Sequence, residues 1–414
     1  MDCLCGALVF AQSGGPTSVI NSSALGVFET ALKSKCISKV LGARHGILGI
    51  LNDDLFDINQ EEATELALLK TTPSSALGSV RYKLKDLTKD DSDYKRILEV
   101  FKKHNVRYFL YNGGNDSMDT CNKVKSYLEA NNYDCKVIGV PKTIDNDLFA
   151  TDHCPGYPSA AKYIATSCME LSLDAKVYDK GSILILEIMG RNAGWLTASS
   201  YVATSKGLGP DLIYVPEVVF DLDKFTHDVT QIYNKNGNCI VAVSEGIHDK
   251  EGVFISEYAN NQNTHVDMFN HIQLGGAANF LAAHIKAKTK AKVRAIEFSL
   301  LQRCAAHCAS LTDVNEAYQV GKTAVETALS GKSGVMVMLE REVGKEYFCN
   351  TAIIPLEKVA NIEKKLPKEY ITESGNNISP KFLDYIMPLI QGESSPPFVD
   401  GVPRFAKLKG IKAK

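Results

Sequence analysis

The sequence lacks the features that mark membrane, secreted and nucleic-acid-binding proteins. No apolar run in the 414 residues approaches the roughly 20 that span a bilayer, and the N-terminus has no basic-then-apolar signal pattern. The formal net charge is only −2, so no strongly basic surface indicates a nucleic-acid partner. We therefore expect a cytoplasmic protein that binds neither membranes nor nucleic acids.

Paired cysteine spacing is missing too. The eleven cysteines are an odd number and lack the spacing of zinc ribbons or small disulfide scaffolds, so we expect reduced thiols. Tryptophan occurs only once. Internal repeats and low-complexity tracts are also lacking, which argues against a repeat architecture.

What remains is the composition of a packed globular protein, with 45% hydrophobic and 23% charged residues. At this length we expect two α/β lobes that share a cleft rather than one core. Short apolar stretches repeatedly end in glycine and polar turns before a longer periodic segment, which is typical of strands feeding helices in a mostly parallel sheet. The sequence thus predicts two similar doubly wound lobes, with the active site in the cleft.

Three loops in the first part of the chain follow predicted strands. Gly14-Gly15 follows the strand Gly6–Gln12, and Gly113-Gly114 follows the strand Val106–Tyr111. A third loop begins at Pro141, after another short apolar strand. Because ligands bind beyond the carboxyl ends of the strands in open α/β sheets, these three loops should converge.

A glycine pair between a strand and a helix allows the backbone to approach a phosphate, which the N–H groups of the helix N-terminus then bind. For either pair alone, a simple tight turn is an equally good explanation. Two such pairs in one lobe, together with the planar donor fork of Arg81, favour polyphosphate binding. This pattern does not specify a reaction.

The loop that begins at Pro141 carries the residue types that phosphoryl transfer requires. Asp145 and Asp147 stand two apart, next to Lys142 and Thr143. An isolated Asp-Asn-Asp is more often an acidic turn that caps the next helix. Phosphoryl transfer needs a carboxylate to accept the proton of the attacking hydroxyl, a group that holds Mg²⁺, and cations beside the transferring phosphate. This loop contains all three kinds of residue.

In combination and order, these residues and several later ones resemble the phosphofructokinase family over about residues 4 to 340. The matching elements are Gly14-Gly15, Arg81, Gly113-Gly114-Asn115-Asp116-Ser117, Pro141-Lys142-Thr143-Ile144-Asp145-Asn146-Asp147, Met189-Gly190-Arg191, Ser244-Glu245-Gly246, Arg294 and Gln302-Arg303. The resemblance implies phosphorylation of fructose 6-phosphate on its C1 hydroxyl, with Mg²⁺ as the cofactor.

The resemblance also implies residue roles. Asp145 is the general base, Asp147 and Arg191 support it together with Lys142, and Thr143 holds the transferring phosphate near the sugar. The implied diphosphate-binding residues are Gly14, Gly15, Arg81, Gly114, Asp116, Ser117 and Lys142. The implied fructose 6-phosphate residues are Thr143, Met189, Gly190, Arg191, Glu245, Arg294 and Arg303, with the last two on the 6-phosphate.

Two departures from the ATP-dependent members of the family point to pyrophosphate as the phosphoryl donor. ATP users usually have aspartate and then glycine where this chain has Asn115 and Asp116, and a carboxylate at the second position would crowd and repel the α-phosphate of a nucleotide. They also usually have glycine in the place of Lys142, whose ammonium group can neutralise the leaving phosphate. The resemblance therefore implies a reversible, pyrophosphate-dependent reaction of glycolysis and gluconeogenesis.

Other departures leave parts of the site open. Asn115 replaces the usual metal carboxylate, so Mg²⁺ is assigned to Asn115 and Asp116, with Asp145 as a further candidate. Leu300 stands where the family often has a histidine. Ser182 stands where it often has a cross-subunit arginine, which is missing here or is supplied by Lys180.

The resemblance implies at least a dimer, a homodimer or homotetramer in which Arg294 reaches the site of a neighbouring subunit. We expect a phosphoryl-donor lobe (residues 1–156 and about 303–345), a sugar-phosphate lobe (about 157–302) and a C-terminal extension packing on the lobes (about 346–414). Within this extension, the tail beyond Glu357 has the pattern of irregular surface chain. An ATP-dependent 6-phosphofructokinase and a non-catalytic regulatory subunit are the alternatives. A regulatory subunit has no reason to retain Asp145, Asp147 and Arg191.

Overall fold

The computed structural model describes residues 4–177, 181–259, 276–342, 344 and 346–414. The chain divides into two units. The first consists of Met1–Gly156, Arg303–Glu363 and Gly392–Lys414, and the second of Tyr157–Gln302 and Lys364–Gln391.

The helices and strands alternate along the chain. Up to Pro141 they are β1 (Gly6–Gln12), α1 (Ile20–Leu32), β2 (Ile37–Ala43), α2 (Ile47–Leu51), β3 (Leu55–Asp57), α3 (Ala63–Leu68), α4 (Ser92–Lys103), β4 (Val106–Gly113), α5 (Asn115–Ala130) and β5 (Lys136–Pro141). Up to Cys304 they are α6 (Tyr157–Ala175), β6 (Ser182–Ile188), α7 (Trp195–Ser199), α8 (Tyr201–Ser205), β7 (Leu212–Tyr214), α9 (Leu222–Asn236), β8 (Cys239–Ser244), α10 (Ala277–Lys288), β9 (Lys292–Glu297) and α11 (Leu301–Cys304). The last are β10 (Ala309–Ser310), α12 (Leu311–Leu329), β11 (Val335–Arg341), β12 (Cys349–Pro355), α13 (Phe382–Ile386), β13 (Glu393–Ser394), β14 (Phe398–Val399) and β15 (Val402–Pro403).

The first unit is built on a seven-stranded sheet in the order β12-β11-β5-β4-β1-β2-β3. Its five central strands run parallel to one another, and only the edge strands β12 and β3 run antiparallel to the strand beside them. Helices cover both faces, as the prediction of a doubly wound, mostly parallel architecture requires.

The alternating side chains of β1 contact the helices on the two faces of this sheet. Leu8 and Phe10 join a core with residues of α1 and α12, whereas Ala7, Val9 and Ala11 join residues of α4 and α5 in a second core. Because successive side chains point to opposite faces, one buried strand serves both layers. The carboxyl end of β1 therefore has little freedom to move.

The first layer is tight because α1 and α12 each present a glycine to the other helix. A Cβ on Gly26 would lie 2.1 Å from the carbonyl oxygen of Tyr318, and one on Gly321 would lie 2.0 Å from that of Ser23. Any side chain at either position would push the two helices apart.

The second unit contains a four-stranded parallel sheet in the order β7-β8-β6-β9. The strand β8 is buried throughout, which accounts for its nearly unbroken apolar sequence. The edge strand β9, by contrast, is exposed or half-buried along its whole length.

The sequence beyond residue 345, which we expected to pack on the lobes as an extension, contributes to both units. The strand β12 belongs to the seven-stranded sheet and pairs with β11 in antiparallel orientation. Val335 lies opposite Pro355 at one end of the pairing, and Arg341 lies opposite Cys349 at the other. Farther on, Phe382 and Leu389 are fully buried. The interpretation of the tail beyond Glu357 as irregular surface chain was therefore wrong at these two residues, which belong to the second unit.

Among the described residues, no helix has both the length and the apolar character needed to cross a bilayer. Nine of the described cysteines are free thiols, as we expected. The expectation was wrong for Cys36, which is disulfide-bonded.

Candidate active site

The three strand-end loops of the first unit meet at Lys142. Its ammonium group donates a hydrogen bond to the carbonyl oxygen of Gly15 (2.7 Å), and its backbone N–H donates to that of Gly113 (3.0 Å). The side chain is only 3% exposed. The loops after β1, β4 and β5 thus converge as the topology predicted.

Burial lowers the pKa of Lys142 to about 8, from 10.5. The negative charges of Asp145 and Asp147 oppose this shift, while the positive charges of Arg303 and Arg81 reinforce it. Burial disfavours the charged form of Lys142, and an anion bound beside its ammonium group would stabilise that charged form.

Gly14 and Gly15 leave room beside these cations. Gly14 has a φ of +73°, and a Cβ there would lie 3.3 Å from the Lys142 ammonium nitrogen. A Cβ on Gly15 would lie 2.9 Å from a terminal guanidinium nitrogen of Arg303. Arg303, which the resemblance assigned to the sugar 6-phosphate, therefore has its guanidinium group beside the glycines that the resemblance assigned to the diphosphate.

The loop after β5 holds Asp145 in a defined backbone geometry. The backbone N–H of Asp145 donates to the Thr143 hydroxyl (3.1 Å). Asn146, with a φ of +56°, turns the chain, and its side-chain oxygen accepts a hydrogen bond from the N–H of Cys154 (2.9 Å). Because Asn tolerates the left-handed region better than most residues, it suits this turn between two aspartates.

Asn115, at the start of α5, contacts the same loop. Its amide nitrogen donates to Asp147 Oδ2 (3.1 Å). Asn115 Oδ1 and Asp147 Oδ1 are buried and have no hydrogen-bond partner among the described residues. Two unsatisfied oxygens in neighbouring side chains suit a hard cation that prefers oxygen ligands.

Of the two predicted metal ligands, Asn115 is part of this oxygen pair, whereas Asp116 is exposed in the first turn of α5. Within the described ranges, no group of three or more His, Cys, Asp or Glu side chains is arranged to hold a metal ion. A cation at the oxygen pair would thus take further ligands from substrate phosphate and water, as Mg²⁺ commonly does.

Asp147 differs electrostatically from an ordinary surface carboxylate. Burial raises its pKa, and the negative charges of Asp145 and Glu363 add to the effect. Sequence reasoning missed Glu363, whose backbone pairs with Leu148 in an isolated bridge. No local pattern could have indicated it, because Glu363 lies far along the chain from this loop.

Three further predicted residues flank these loops. Ser117 is buried in the first turn of α5, close to where a Cβ on Gly113 would stand (1.9 Å from Ser117 Oγ). Gly114 is the N-cap residue of α5, and no side chain caps this helix end. Arg81 is exposed within the irregular chain between α3 and α4, near enough to Lys142 to affect its pKa.

The second unit collects the predicted sugar-side residues at the carboxyl ends of β6 and β8. Gly190, with a φ of +130°, donates its N–H to Glu245 Oε1 (3.3 Å). The neighbouring N–H of Met189 donates to the side-chain oxygen of Gln302 (3.3 Å). The Ser244 hydroxyl donates to the carbonyl oxygen of Gly190 (2.5 Å). The two turns are thus bound to each other.

The predicted arginines of this unit are accessible. Arg191 is partly exposed, and its backbone leaves no room for a Cβ on Gly246, which would lie 1.8 Å from the Arg191 carbonyl oxygen. Arg294 is exposed on the edge strand β9, opposite Leu184. Lys180, the suggested substitute for the missing arginine, lies outside the described residues.

The only tryptophan lies just beyond the Met189-Gly190-Arg191 turn. Trp195 contacts Tyr370 and Tyr385, with ring centroids 6.2 and 5.1 Å away, and donates its indole N–H to the carbonyl oxygen of Lys364 (3.0 Å). Glu217 joins the same two stretches of chain, since its Oε1 accepts hydrogen bonds from the N–H groups of Gly194 and Leu366 (both 2.9 Å). The segment from residue 364 onward therefore supports this turn.

Comparison with known proteins agrees with this geometry. The family model described as Phosphofructokinase matches residues 7–328. The pyrophosphate–fructose 6-phosphate 1-phosphotransferase of Xanthomonas campestris pv. campestris is 46% identical over 413 residues, covering 98% of this chain and 97% of that protein. The protein of the same name from Halomonas elongata is 44% identical over 403 residues, covering 96% and 95%. The crystal structure of a pyrophosphate-dependent phosphofructokinase from Marinobacter aquaeolei matches with a TM-score of 0.88 at 42% identity, covering 99% of this chain and 97% of that one.

Proposed function

The chain belongs to the phosphofructokinase family, and we propose that it is a phosphotransferase that phosphorylates fructose 6-phosphate with inorganic pyrophosphate. The observation that carries the choice of donor is the buried Lys142, whose ammonium group lies where three phosphate-binding loops meet. The names of the relatives at 44–46% identity support the same reaction.

In the proposed reaction, Asp145 accepts the proton of the C1 hydroxyl as its oxygen attacks one phosphorus of pyrophosphate. The new P–O bond forms on the sugar while the bond to the bridging oxygen breaks, so orthophosphate leaves and fructose 1,6-bisphosphate remains. The proton passes from Asp145 to solvent. A positioned general base contributes roughly 10²- to 10⁴-fold to such a step.

Lys142 neutralises the charge that builds on the departing orthophosphate. Its lowered pKa supports this role, because bringing an anion to a buried ammonium group relieves the electrostatic cost of burying that group alone. Arg81 and the backbone at Gly14 and Gly15 hold the diphosphate, assisted by the uncapped N-terminus of α5.

We propose Mg²⁺ as the cofactor, with Asn115 Oδ1 and Asp147 Oδ1 as the protein oxygens that hold it. Both atoms are buried without a hydrogen-bond partner in the described part of the chain, which supports the assignment. When bound, Mg²⁺ neutralises phosphate charge during transfer. Asp116 then contributes through its charge near the diphosphate rather than as the principal ligand.

Glu245, Met189 and Arg191 serve as the proposed sugar-binding residues. Glu245 is already oriented by the N–H of Gly190 and still has acceptor capacity for sugar hydroxyls. Arg294 is the proposed cross-subunit ligand of the 6-phosphate in a homodimer or homotetramer. Its exposure on an edge strand supports this, because a residue that serves a neighbouring subunit must be accessible in a single chain.

The test compares kcat/KM for fructose 6-phosphate with pyrophosphate and with ATP, in one buffer containing Mg²⁺. We expect turnover with pyrophosphate and at least a hundredfold lower efficiency with ATP. Preference for ATP would replace the proposal with an ATP-dependent enzyme. Absence of turnover with both donors would favour a regulatory subunit.

A further inference from the structure

The last ten residues before the C-terminal Lys414 form a segment that lies along the edge of the first unit's sheet. We call Arg404–Ala413 the C-terminal strap. The N–H of Asp57 donates to the Ile411 carbonyl oxygen (2.8 Å), and the N–H of Ala413 donates to that of Leu55 (2.7 Å). The strap thus pairs with β3, which is otherwise the open edge of the seven-stranded sheet.

Opposite charges hold the strap against the residues that precede and begin α3. The Arg404 guanidinium and the Lys409 ammonium pair with Glu65 and Glu62, respectively. Backbone N–H groups add to these pairs, because Lys407 donates to Glu65 and Lys409 to Glu61 (both 2.7 Å). Several charge-assisted hydrogen bonds of this kind order a segment that has no secondary structure of its own.

One hydrogen bond connects the strap to the segment that leads to Arg81. The backbone N–H of Ala406 donates to the hydroxyl of Thr72 (2.9 Å), which is 8% exposed. Ala406 and Leu408 also pack against the apolar core that contains Leu77. The strap therefore contacts the outer side of residues 72–81.

The inner side of residues 72–81 is bonded to the carboxyl end of β1. Asn21 donates to the carbonyl oxygen of Thr72 (3.0 Å), and its own side-chain oxygen accepts from Gln12 (3.0 Å) and from the N–H of Ala76 (2.9 Å). Gln12 in turn accepts from the N–H of Leu77 (3.1 Å). Asn21 and Gln12 are both fully buried, so these bonds are protected from water.

The far end of residues 72–81 contacts the diphosphate loop itself. The N–H of Gly14 donates to the carbonyl oxygen of Val80 (3.1 Å), and the Ser79 hydroxyl donates to that of Gly14 (2.6 Å). Arg81 follows directly. The segment has no helix or strand, so its conformation depends on these bonds and on the strap.

We infer that the C-terminal strap positions the diphosphate site, with Thr72 as the residue through which it acts. The strap fixes residues 72–81 from outside, and these fix Gly14 and Arg81. Thr72 is a positioning residue, since it acts on Gly14 and Arg81 through the segment that joins them. The inference rests on the proposed function, because it concerns the binding of pyrophosphate.

The test removes the hydrogen bond between Ala406 and Thr72 from each side. Thr72→Val removes the hydroxyl at nearly constant volume, and with it a second bond that the hydroxyl donates to the Leu68 carbonyl oxygen (2.8 Å). Ala406→Pro removes only the N–H that donates to Thr72. Each should raise the KM for pyrophosphate about fivefold, the typical value of one hydrogen bond, with the KM for fructose 6-phosphate within twofold of the parent. Thr72→Ser should restore the parent values. The double variant should be no worse than Thr72→Val alone, because the bond that Ala406→Pro removes is already absent there.

Lys412→Gln is the matched control, since it removes a strap charge that pairs with Asp54 rather than contacting Thr72. It should leave both KM values unchanged. Equal effects of Thr72→Val on both substrates, or failure of Thr72→Ser to restore pyrophosphate binding, would overturn the inference. If Ala406→Pro or Thr72→Val does not fold, Glu65→Gln weakens the strap from the helix side and must give the same pyrophosphate-selective change. A parent enzyme without pyrophosphate turnover would instead refute the proposed function.

Discussion

Replacing Lys142 with methionine should make the ligand-free protein more stable while removing its activity. A lysine pKa of about 8 in place of 10.5 means that burying the charge lowers the free energy of unfolding by roughly 3 kcal/mol at neutral pH. Lys142→Met keeps most of the side-chain volume and carries no charge. It also loses the hydrogen bond to the Gly15 carbonyl oxygen, worth about 1 kcal/mol, which offsets only part of the gain. The unit that contains it should therefore unfold at a temperature several degrees higher at pH 7.

The stabilisation should depend on pH in a defined direction. Below pH 8 the lysine is protonated in both the folded and the unfolded chain, so the parent bears the full cost. Between about pH 8 and pH 10.5 only the unfolded chain binds the proton, and the stability of the parent rises with pH. The difference between Lys142→Met and the parent should accordingly shrink from pH 7 to pH 10.

Thermal unfolding of the two proteins at pH 7 and at pH 10 measures both effects, and steady-state kinetics measures the loss of turnover. Lys89→Met is the control, because the Lys89 side chain is 81% exposed and should shift neither the melting temperature nor the activity. We expect turnover with pyrophosphate to fall roughly 10²- to 10³-fold in Lys142→Met. A variant that melts below the parent at pH 7, or a difference that does not shrink by pH 10, would refute the reasoning.

Four other substitutions test the remaining assignments. Asp145→Ala should lower turnover roughly 10²- to 10⁴-fold with little change in either KM, and turnover within a few-fold of the parent would remove Asp145 from the role of base. Asp116→Gly should make ATP measurably usable, because it removes a negative charge from the exposed first turn of α5. An unchanged donor preference would show that Asp116 does not exclude ATP. Arg294→Ala and Arg303→Ala should each raise the KM for fructose 6-phosphate more than that for pyrophosphate. The reverse result for Arg303 would assign it to the donor, beside Gly15.

The strands that carry the site were predictable because each is a short apolar run ended by glycine, proline or serine. The predicted strand Gly6–Gln12 matches β1 residue for residue, and the predicted strand Val106–Tyr111 begins where β4 begins and ends two residues before it. Such runs have a local cause, since a strand that is buried on both faces requires nearly continuous apolar sequence. The convergence of the three loops then followed from the parallel topology alone.

The contacts that join distant parts of the chain could not be predicted in this way. The strand β12 was missed because it is half-buried at a sheet edge and carries no strong alternation. The bond from Asn115 to Asp147, and the charge of Glu363 beside Asp147, depend on the folded arrangement of loops. The sequence shows which residue types are present in these loops, but only the folded structure shows which side chains contact one another.

The single tryptophan makes the intrinsic fluorescence of this protein a local signal. All indole emission comes from Trp195, four residues beyond Arg191, and the neighbouring rings of Tyr370 and Tyr385 can transfer their excitation to it. The Lys364 ammonium nitrogen lies 5.1 Å from the centre of the indole ring, so the emission wavelength is sensitive to small displacements of that charge. The wavelength and intensity of the intrinsic fluorescence therefore report on the turn that contains Arg191, without an added label.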